Sequence, residues 1–343
     1  MRTIGISHKT RYWQHHCFSN PPAGHRYARM ADIPWHMAGI GWEALANTKY
    51  FVPLRTPDLY HTYNAIVVNP RPWVVEVESY MPRFQGLDAR HPLFRWALRK
   101  MAGDRCKALL FTSRSALDLN REKLIAAGVD EAKMSVVYRA VERYAPQGRD
   151  PKRFTILFAG NGFYRKGGLE LLKAFQLLDR SDARLVIIST LETDWGVFPS
   201  PENVAWAERT IADHPRISLY RRLPHEALID HLRAGDAFVS TTFADPFNNT
   251  VLEAMGCALP VISATTGALP EVVEEGRNGW LLSVGDRTSG DIAEEIAMRL
   301  NRLMDDPELR IRMGGESSLI AQEKFDIGVR NAALTEIYDR ALT

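Results

Sequence analysis

Cysteine and long apolar runs are scarce in this 343-residue chain, and each shortage excludes a class of protein. The three cysteines, Cys17, Cys106 and Cys257, lie far apart and outside any CxxC spacing, which argues against a disulfide framework and a zinc site. No apolar stretch approaches the roughly 20 residues that a membrane-spanning helix requires. Residues 1–8 also lack the charged start and apolar core of a signal peptide, so we expect a cytoplasmic protein.

The chain as a whole lacks a large excess of either charge, since its net charge is +2, but its two halves carry net charges of opposite sign. Residues 1–149 hold 22 Lys and Arg against 12 Asp and Glu, whereas the remainder has a net charge of −8. A basic half is typical of proteins that meet an anionic glycan, a lipid phosphate or a membrane surface, although it also serves solubility. The basic residues are scattered and form no recognised module, so no nucleic-acid partner is expected.

Residues 92–107 place apolar side chains among arginines and lysines at helical spacing. This pattern has two interpretations: a helix that lies on an anionic bilayer, or a helix whose apolar face packs on the protein's own core. The first predicts peripheral contact with the inner face of a membrane. The second predicts no such contact, and the sequence leaves both open.

A stretch rich in Pro and Gly at residues 142–152 separates two halves of different pattern. After it, buried-strand patterns alternate with amphipathic helices up to residue 283, which predicts a parallel sheet covered on both faces. The first half alternates less regularly and contains an aromatic stretch at residues 10–47 that is interpreted as a loop. We predict an α/β protein with domains at 1–148 and 149–325, and a helix at 326–343 that packs back on the first domain.

The segment most informative about chemistry, residues 241–263, joins a buried strand to a helix through a polar loop. Ligands of open parallel sheets bind beyond the carboxyl ends of the strands, so residues 245–250 fall where a substrate is expected. Free N–H groups at the start of the helix favour a diphosphate or sugar hydroxyls. Asp245 and Glu253 bracket this loop and could hold two sets of vicinal hydroxyls. The alternative is that Asp245 caps the helix and Glu253 forms an ion pair.

Ordered motifs in residues 154–283 resemble the glycosyltransferase family 4 enzymes. Asp245 and Glu253 resemble the E-x7-E element of that family, with Asp in place of the first Glu. Residues 158–168 (FAGNGFYRKGG) resemble its phosphate-contacting element, and residues 267–282 resemble its glycine-rich turn, P-E pair and N-G strand opening. The resemblance implies the GT-B architecture, in which two Rossmann-like domains present parallel sheets to each other across a cleft.

The same resemblance implies a role for each matching residue. Lys166 would neutralise the donor diphosphate, Asp245 would accept from the transferred sugar, and Glu253 would accept from the ribose hydroxyls. Fixed cations suit glycosyl transfer from a nucleotide sugar, because negative charge grows on the diphosphate as the bond to the sugar breaks. The other donor-binding candidates lie in the phosphate-contacting element, the base-contacting loop and the start of the helix: Asn161, Gly162, Tyr220, Arg221, Phe247, Asn248, Asn249 and Thr250.

The sequence departs from the family pattern at several candidate positions. Asn161 stands where the family has Arg, and Arg165 is predicted to supply the missing charge from another direction. Asp245 is one methylene shorter than Glu, which changes its reach toward the sugar hydroxyls. In the first domain, Gly24 is the candidate for close approach to the donor phosphate, and Glu78 occupies a strand end where relatives often carry an active-site His.

The acceptor side of the first domain is interpreted from single residues. Glu78 either orients the acceptor hydroxyl and takes its proton, or forms a salt bridge within the basic domain. His61 closes a D-x-x-H pattern and is interpreted as structural. Trp13, Trp35 and Trp42 either stack on acceptor sugars or pack in the core.

The resemblance implies a retaining hexosyltransferase of polysaccharide biosynthesis. It would move a sugar from a UDP- or GDP-sugar to a saccharide or lipid-linked acceptor, with Lys166, Arg165, Asp245 and Glu78 as the catalytic candidates. The nucleotide sugar is a substrate, and no cofactor or metal is expected because side-chain cations serve the diphosphate. The alternative is a non-catalytic nucleotide-sugar-binding protein on the same fold, which Asn161 and Glu78 favour.

Overall fold

The computed structural model describes residues 1–7, 16–33, 43–52 and 56–343. The chain forms two compact units: residues 1–140 together with 325–343 make up the first, and residues 141–324 make up the second. The aromatic candidates Trp13, Trp35 and Trp42 lie outside the described residues. Within the described ranges, no helix is both long and apolar enough to cross a membrane.

The first unit contains a parallel sheet of six strands in the order β2-β1-β4-β6-β7-β8 and a small parallel sheet of β3 and β5. Its elements up to residue 136 are β1 (Arg2–Ser7), β2 (His25–Met30), α1 (Glu43–Ala46), β3 (Thr48–Lys49), β4 (Leu59–Tyr63), β5 (Ile66–Val67), β6 (Trp73–Val77), α2 (Pro92–Ala102), β7 (Cys106–Phe111), α3 (Arg114–Ala126) and β8 (Met134–Val136). The central strand β6 is buried along its whole length, as expected for a parallel sheet between two helical layers.

Strand β2 shows that the prediction of a loop over residues 10–47 was wrong for part of that stretch. It pairs with β1 in parallel from Arg2↔His25 to Ser7↔Met30. Because β2 is the edge strand of the sheet, most of its residues are exposed or half-buried, and its sequence needs no continuous apolar run.

The second unit contains a parallel sheet of six strands in the order β11-β10-β9-β12-β13-β14. Its elements are β9 (Phe154–Ala159), α4 (Gly168–Leu177), β10 (Ala183–Ile188), α5 (Pro201–Asp213), β11 (Ile217–Tyr220), α6 (His225–Ala234), β12 (Ala237–Ser240), α7 (Asn249–Gly256), β13 (Val261–Ala264), α8 (Leu269–Val272), β14 (Gly279–Leu282), α9 (Ser289–Asp305) and α10 (Pro307–Phe325). The strand order reverses between β9 and β12, which is the topological switch point where ligands of such sheets bind.

The core of the second unit fixes β9 at the centre of this sheet. All six residues of β9 are buried, and Phe154, Ile156 and Phe158 pack in one apolar cluster with Leu172 and Phe175 of α4. Helix α9 packs on α4 and starts with a capping box at Thr288. The loops that leave β9 and β12 therefore project from a rigid base.

The C-terminal helix α11 (Ile327–Leu342) belongs to the first unit. Its buried Arg330 forms an ion pair with the buried Glu76 of β6, and Tyr338 is hydrogen-bonded to the His61 ring. Burial by itself raises the pKa of Glu76, but the Arg330 and His61 side chains outweigh it and lower that pKa to about 2. A charged network thus ties the end of the chain to the first sheet, and His61 has a structural place in it.

Candidate functional site

The candidate site in the second unit lies at the carboxyl edge of its sheet, where the loops after β9 and β12 meet. The N–H of Phe243 donates to the carbonyl of Arg165 at 2.9 Å, and the hydroxyl of Thr242 donates to the same carbonyl at 3.2 Å. These bonds join residues 160–167 to residues 241–248 across the switch point. Two segments that are about 80 positions apart in sequence thus form one surface.

Gly160 lets the first of these loops turn back over the strand it leaves. Its φ of +145° is a conformation that other residues rarely adopt, and a Cβ there would lie 2.9 Å from Cδ of Lys166. The glycine therefore makes room for the Lys166 side chain to cross the end of β9. This passage directs the ammonium group toward the loop after β12.

Lys166, Asp245 and Asn248 converge at this point. The Lys166 Nζ lies 3.0 Å from Oδ2 of Asp245 and donates to Oδ1 of Asn248 at 3.4 Å. The Asn248 side chain is oriented from behind, because its Nδ2 donates to Oγ of Ser240 at 3.0 Å. The Lys166 and Asp245 side chains are only 12% and 11% exposed, so this ion pair is largely shielded from solvent.

Asp245 is also fixed by its own loop. The N–H of Phe247 donates to Oδ1 of Asp245 at 3.3 Å, which closes a short turn ahead of α7, and the Phe247 side chain is buried. Asn249 and Thr250 follow as the first residues of α7 and are half-buried. The predicted polar candidates of residues 245–250 therefore occupy one edge of the sheet.

Arg165 is paired with protein groups in this structure. Its guanidinium forms a bidentate ion pair with Asp194, with Nε 3.0 Å and Nη2 2.7 Å from the carboxylate oxygens. Its Nη1 donates to the carbonyl of Ala244 at 2.6 Å and lies 3.6 Å from Oδ2 of Asp245. The indole of Trp195 lies over the guanidinium, 4.5 Å from ring centre to Cζ. Arg165 is thus 7% exposed and committed to protein partners.

The phosphate-contacting element contributes two further candidates of contrasting exposure. Asn161 is exposed, whereas Gly162 is buried and packs against the Asp194 carboxylate. The Asp194 side chain thus touches both Gly162 and Arg165. The loop after β10 therefore supports the loop after β9, a contact that the sequence pattern does not reveal.

Glu253 lies on α7, one turn into the helix, and faces the start of α6. Its Oε1 lies 3.0 Å from Nε2 of His225. The hydrogen bond to Glu253 raises the pKa of His225 above its ordinary value, against the opposing effect of burial. The carboxylate side chain is 13% exposed and the imidazole 59% exposed, so the pair opens to solvent on the histidine side.

Tyr220 ends β11 and Arg221 follows it, at the same carboxyl edge. The Tyr220 ring lies 4.6 Å from the ring of His231, and Arg221 donates to the carbonyl of Thr190 at 3.0 Å. Both side chains are exposed. The loops after β9, β10, β11 and β12 all contribute to this edge, as parallel pairing of these strands requires.

Two of the candidates belong to the first unit. Glu78 follows β6 at the carboxyl edge of its sheet, where Arg139 lies 2.7 Å from Oε1 and Arg83 lies 3.4 Å from Oε2. This is the salt-bridge interpretation of Glu78. Gly24 has a φ of +78°. Because it comes directly before β2, it lies at the amino edge of the sheet, opposite the edge that carries Glu78.

Sequence reasoning missed three residues that touch the candidates: Asp194, Trp195 and His225. Asp194 and Trp195 follow the carboxyl end of β10, and His225 opens the helix after β11, so a survey of polar and aromatic residues at every strand end could have found them. The identity of their partners could not be found that way. Each partner is 28 or more positions away in sequence.

The fold and the edge chemistry together define a class of protein. A parallel sheet in the Rossmann strand order, with a cation, a carboxylate and an amide at its switch point, is a nucleotide-binding arrangement. Solved structures with the same architecture include Anabaena HepE in complex with UDP (TM-score 0.67, 15% identity, covering 99% of this chain and 100% of that one). Another is sucrose-phosphate synthase from Thermosynechococcus elongatus (TM-score 0.65, 15% identity, 99% and 98% covered). The fold is therefore GT-B, as the sequence predicted.

Sequence comparison finds similar proteins. Residues 153–306 match the family model described as glycosyl transferases group 1. The chain is similar to the D-inositol 3-phosphate glycosyltransferase of Pseudarthrobacter chlorophenolicus, with 30% identity over 260 residues, 74% of this chain and 58% of the relative. It is also similar to the enzyme of that name from Mycobacterium sp. strain KMS, with 25% identity over 272 residues. The chain thus spans 58% of the length of these curated relatives.

Proposed function

We propose that this protein is a glycosyltransferase that moves a sugar from a nucleotide-sugar donor to a saccharide or lipid-linked acceptor. The observation that carries the proposal is the meeting of Lys166, Asp245 and Asn248 at the switch point of a GT-B sheet. A donor of this class carries a diphosphate, which needs a cation, next to a sugar, which needs hydrogen-bond acceptors. Lys166 is such a cation, and the oxygens of Asp245 and Asn248 lie 3.0 and 3.4 Å from its ammonium group.

Lys166 is the residue that acts on the diphosphate in this proposal. As the bond between the anomeric carbon and the phosphate oxygen breaks, negative charge accumulates on the departing nucleoside diphosphate. An ammonium group held in place and shielded from water stabilises that charge without reorganisation. Lys166 would supply this positive charge in place of a metal ion. Asp245 is paired with Lys166 in this structure. Once the diphosphate binds Lys166 in its place, Asp245 would accept hydrogen bonds from the sugar hydroxyls.

Arg165 is better described as a positioning residue than as a substitute for the Arg that Asn161 replaces. Its ion pair with Asp194 neutralises the guanidinium, and its bond to Ala244 fixes the residue next to Asp245. We therefore assign to Arg165 the task of fixing the loop that presents Asp245. Glu253 would accept from the ribose hydroxyls, with Tyr220 and Arg221 on the side of the base.

A UDP-sugar is our first choice of donor. It is supported by the fold shared with Anabaena HepE, which has been captured in complex with UDP and with UDP-glucose. The relatives named as D-inositol 3-phosphate glycosyltransferases add a small polyol phosphate to the saccharide and lipid-linked compounds as a candidate acceptor. Retention of anomeric configuration rests on the resemblance to family 4.

Nucleotide binding is the first test of this function. Thermal stabilisation of the purified protein is measured with UDP, GDP, ADP and TDP, because a ligand at about 100 times its Kd adds roughly 2.7 kcal/mol to the free energy of unfolding. We expect one nucleotide to stabilise the protein selectively and the Glu253→Ala variant to lose that effect. Absence of stabilisation by all four nucleotides would contradict the donor site.

Turnover separates the enzyme from the non-catalytic binding protein. We expect release of the nucleoside diphosphate from the matching nucleotide sugar, with transfer to an added saccharide or polyol phosphate. The Lys166→Ala and Asp245→Ala variants should lose turnover more than donor affinity. Retention of donor affinity with no release or transfer under any condition would favour the binding protein.

Contact with an anionic membrane is a further proposal, limited by the packing of α2. Phe94, Ala97, Leu98 and Met101 are buried in the core of the first unit, so the apolar face of this helix is already covered. The exposed Arg95 and Arg99 leave only an electrostatic contact. Sedimentation with vesicles of anionic lipid should therefore be reversed by moderate salt, whereas salt-resistant binding would contradict this proposal.

A further inference from the structure

His225 and Glu253 form a contact that the family resemblance does not assign. His225 is the first residue of α6, and Glu253 lies on α7, which packs beside it. The imidazole Nε2 is 3.0 Å from Oε1 of Glu253. In the part of the chain that the structure describes, no second partner of the Glu253 carboxylate is found, which leaves its other oxygen available.

Three acidic side chains act on the His225 imidazole. Glu253 of α7, Glu226 of α6 itself and Glu142 near the start of the second unit all favour the protonated imidazole. The Tyr144 hydroxyl donates to Glu142 and keeps that carboxylate in place. His225 is therefore the cationic member of an otherwise acidic corner when it is protonated, and Glu253 is its hydrogen-bonded partner.

We propose that His225 is a positioning residue of the donor site: it holds one oxygen of Glu253 and presents the other to the ribose hydroxyls of the bound nucleotide. This inference rests on the proposed function, since it needs a nucleotide at Glu253. A glutamate without such a partner samples several rotamers and must be ordered when the ligand binds. A carboxylate that is already held avoids that cost, which raises affinity without a new contact to the ligand.

The strength of this hold depends on pH. Below the raised pKa of His225 the imidazole is charged, and a hydrogen bond between charged partners is stronger than a neutral one. As the pH rises through that pKa, the imidazole loses its proton and the hold on Glu253 weakens. Affinity for a nucleotide with intact ribose should therefore fall as the pH rises from about 6 to about 8.5, a range that brackets the ordinary histidine pKa.

The test uses the full chain and three variants: His225→Ala, which removes the partner, His225→Gln, whose amide nitrogen can replace Nε2 without titrating, and Asp213→Asn as the control, which changes an exposed carboxylate of α5. Affinities for UDP and GDP, and for their 2′,3′-dideoxy counterparts, are measured by calorimetry at several pH values. Thermal unfolding without ligand reports whether each variant is folded. The dideoxy nucleotides lack the hydroxyls that Glu253 is proposed to bind, so they separate an effect on ribose from any other.

We expect His225→Ala to weaken binding of the ribonucleotide about fivefold at pH 6 and to leave binding of the dideoxy nucleotide unchanged. His225→Gln and Asp213→Asn should bind within about twofold of the unmodified protein at pH 6. The unmodified protein should lose affinity as the pH rises, and His225→Gln should lose less of it. The comparison of these two proteins cancels the protonation of the nucleotide itself.

Two kinds of result would overturn this inference. If His225→Ala weakens the ribonucleotide and the dideoxy nucleotide equally, or neither, His225 does not act through the ribose contact. If the unmodified protein and His225→Gln share one pH profile, the titration of His225 has no part in binding. Failure of the unmodified protein to bind any ribonucleotide would instead overturn the proposed function and this inference with it.

Discussion

At the scale of single residues, the candidate site is notable for the pairing of its charges. Lys166 is paired with Asp245, and Arg165 is paired with Asp194. Such a site holds no large excess charge without ligand, and a diphosphate must compete with Asp245 for Lys166. The two pairs make separate predictions, because the proposed function assigns the diphosphate to Lys166 and a positioning task to Arg165.

Replacement of Lys166 tests the first pair. We expect Lys166→Met to lower kcat for sugar transfer by about 10²- to 10³-fold, since the growing charge on the diphosphate loses its cation. Steady-state kinetics should show a smaller change in KM for the donor. Lys152→Met, which removes an exposed lysine of the same unit, is the control and should leave both constants unchanged. Equal activity of the two variants would contradict the role proposed for Lys166 in the reaction.

Replacement of Asp194 tests the second pair. Asp194→Asn removes the bidentate carboxylate from the Arg165 guanidinium, whose side chain is 8% exposed, and leaves only the Asp245 carboxylate at 3.6 Å as a charged neighbour. We expect a loss of about 1–2 kcal/mol in the free energy of unfolding, discounted for the partial exposure of Asp194. Urea denaturation measures this loss. Asp150→Asn, which breaks an exposed pair with Arg153, should change stability by less than about 0.5 kcal/mol. Equal effects of the two substitutions would show that burial of the Arg165 pair is unimportant.

At the scale of secondary-structure elements, helix α11 is joined to the first sheet by buried charge. The pKa of Glu76 is lowered from 4.5 to about 2, so its ionised form stabilises the folded state. This contribution is fully present above the unfolded pKa and is lost as the pH falls through the folded one. The linked free energy is of the order of 3 kcal/mol.

The Arg330→Met variant tests this joint. Without Arg330, burial disfavours the Glu76 carboxylate, and we expect a loss of about 3–5 kcal/mol in the stability of the first unit near neutral pH. The decline between pH 4.5 and pH 2 should also flatten in plots of the free energy of unfolding against pH. Arg340→Met changes an exposed arginine of the same helix and provides the control. A decline of unchanged size in Arg330→Met would contradict the role assigned to Glu76.

At the scale of the whole molecule, the three thiols report on global unfolding. Cys17, Cys106 and Cys257 are all buried, and burial raises the pKa of Cys106 and of Cys257 to about 12. Since the thiolate is the reactive form, we expect negligible labelling by a soluble disulfide reagent at pH 8 in native buffer. Three thiols per chain should react in guanidinium chloride. Rapid labelling of the native protein would show that the packing around these residues opens locally.

Much of the second unit could be predicted from the sequence, because its information is local. Buried parallel strands read as short apolar runs, and β9, α6 and β12 belong to the alternation of strands and helices that was predicted up to residue 283. The first unit was harder to predict, because its edge strand β2 is not buried enough to need an apolar pattern. The family motifs by themselves identified Lys166, Asp245 and Asn248 as candidate site residues, and the structure brings these three together.

The sequence by itself determined the fold class, the resemblance to a glycosyltransferase family and the edge of the sheet that carries the candidate residues, since strand order and motif spacing are written along the chain. Only the tertiary structure decided the partner of each charge. Arg165 is paired with Asp194, Glu78 with Arg139, and Glu76 with Arg330. The two members of each pair lie 29 to 254 positions apart in sequence. Burial excludes water as the competing partner, so the nearest opposite charge in space prevails, and that neighbour is set by packing.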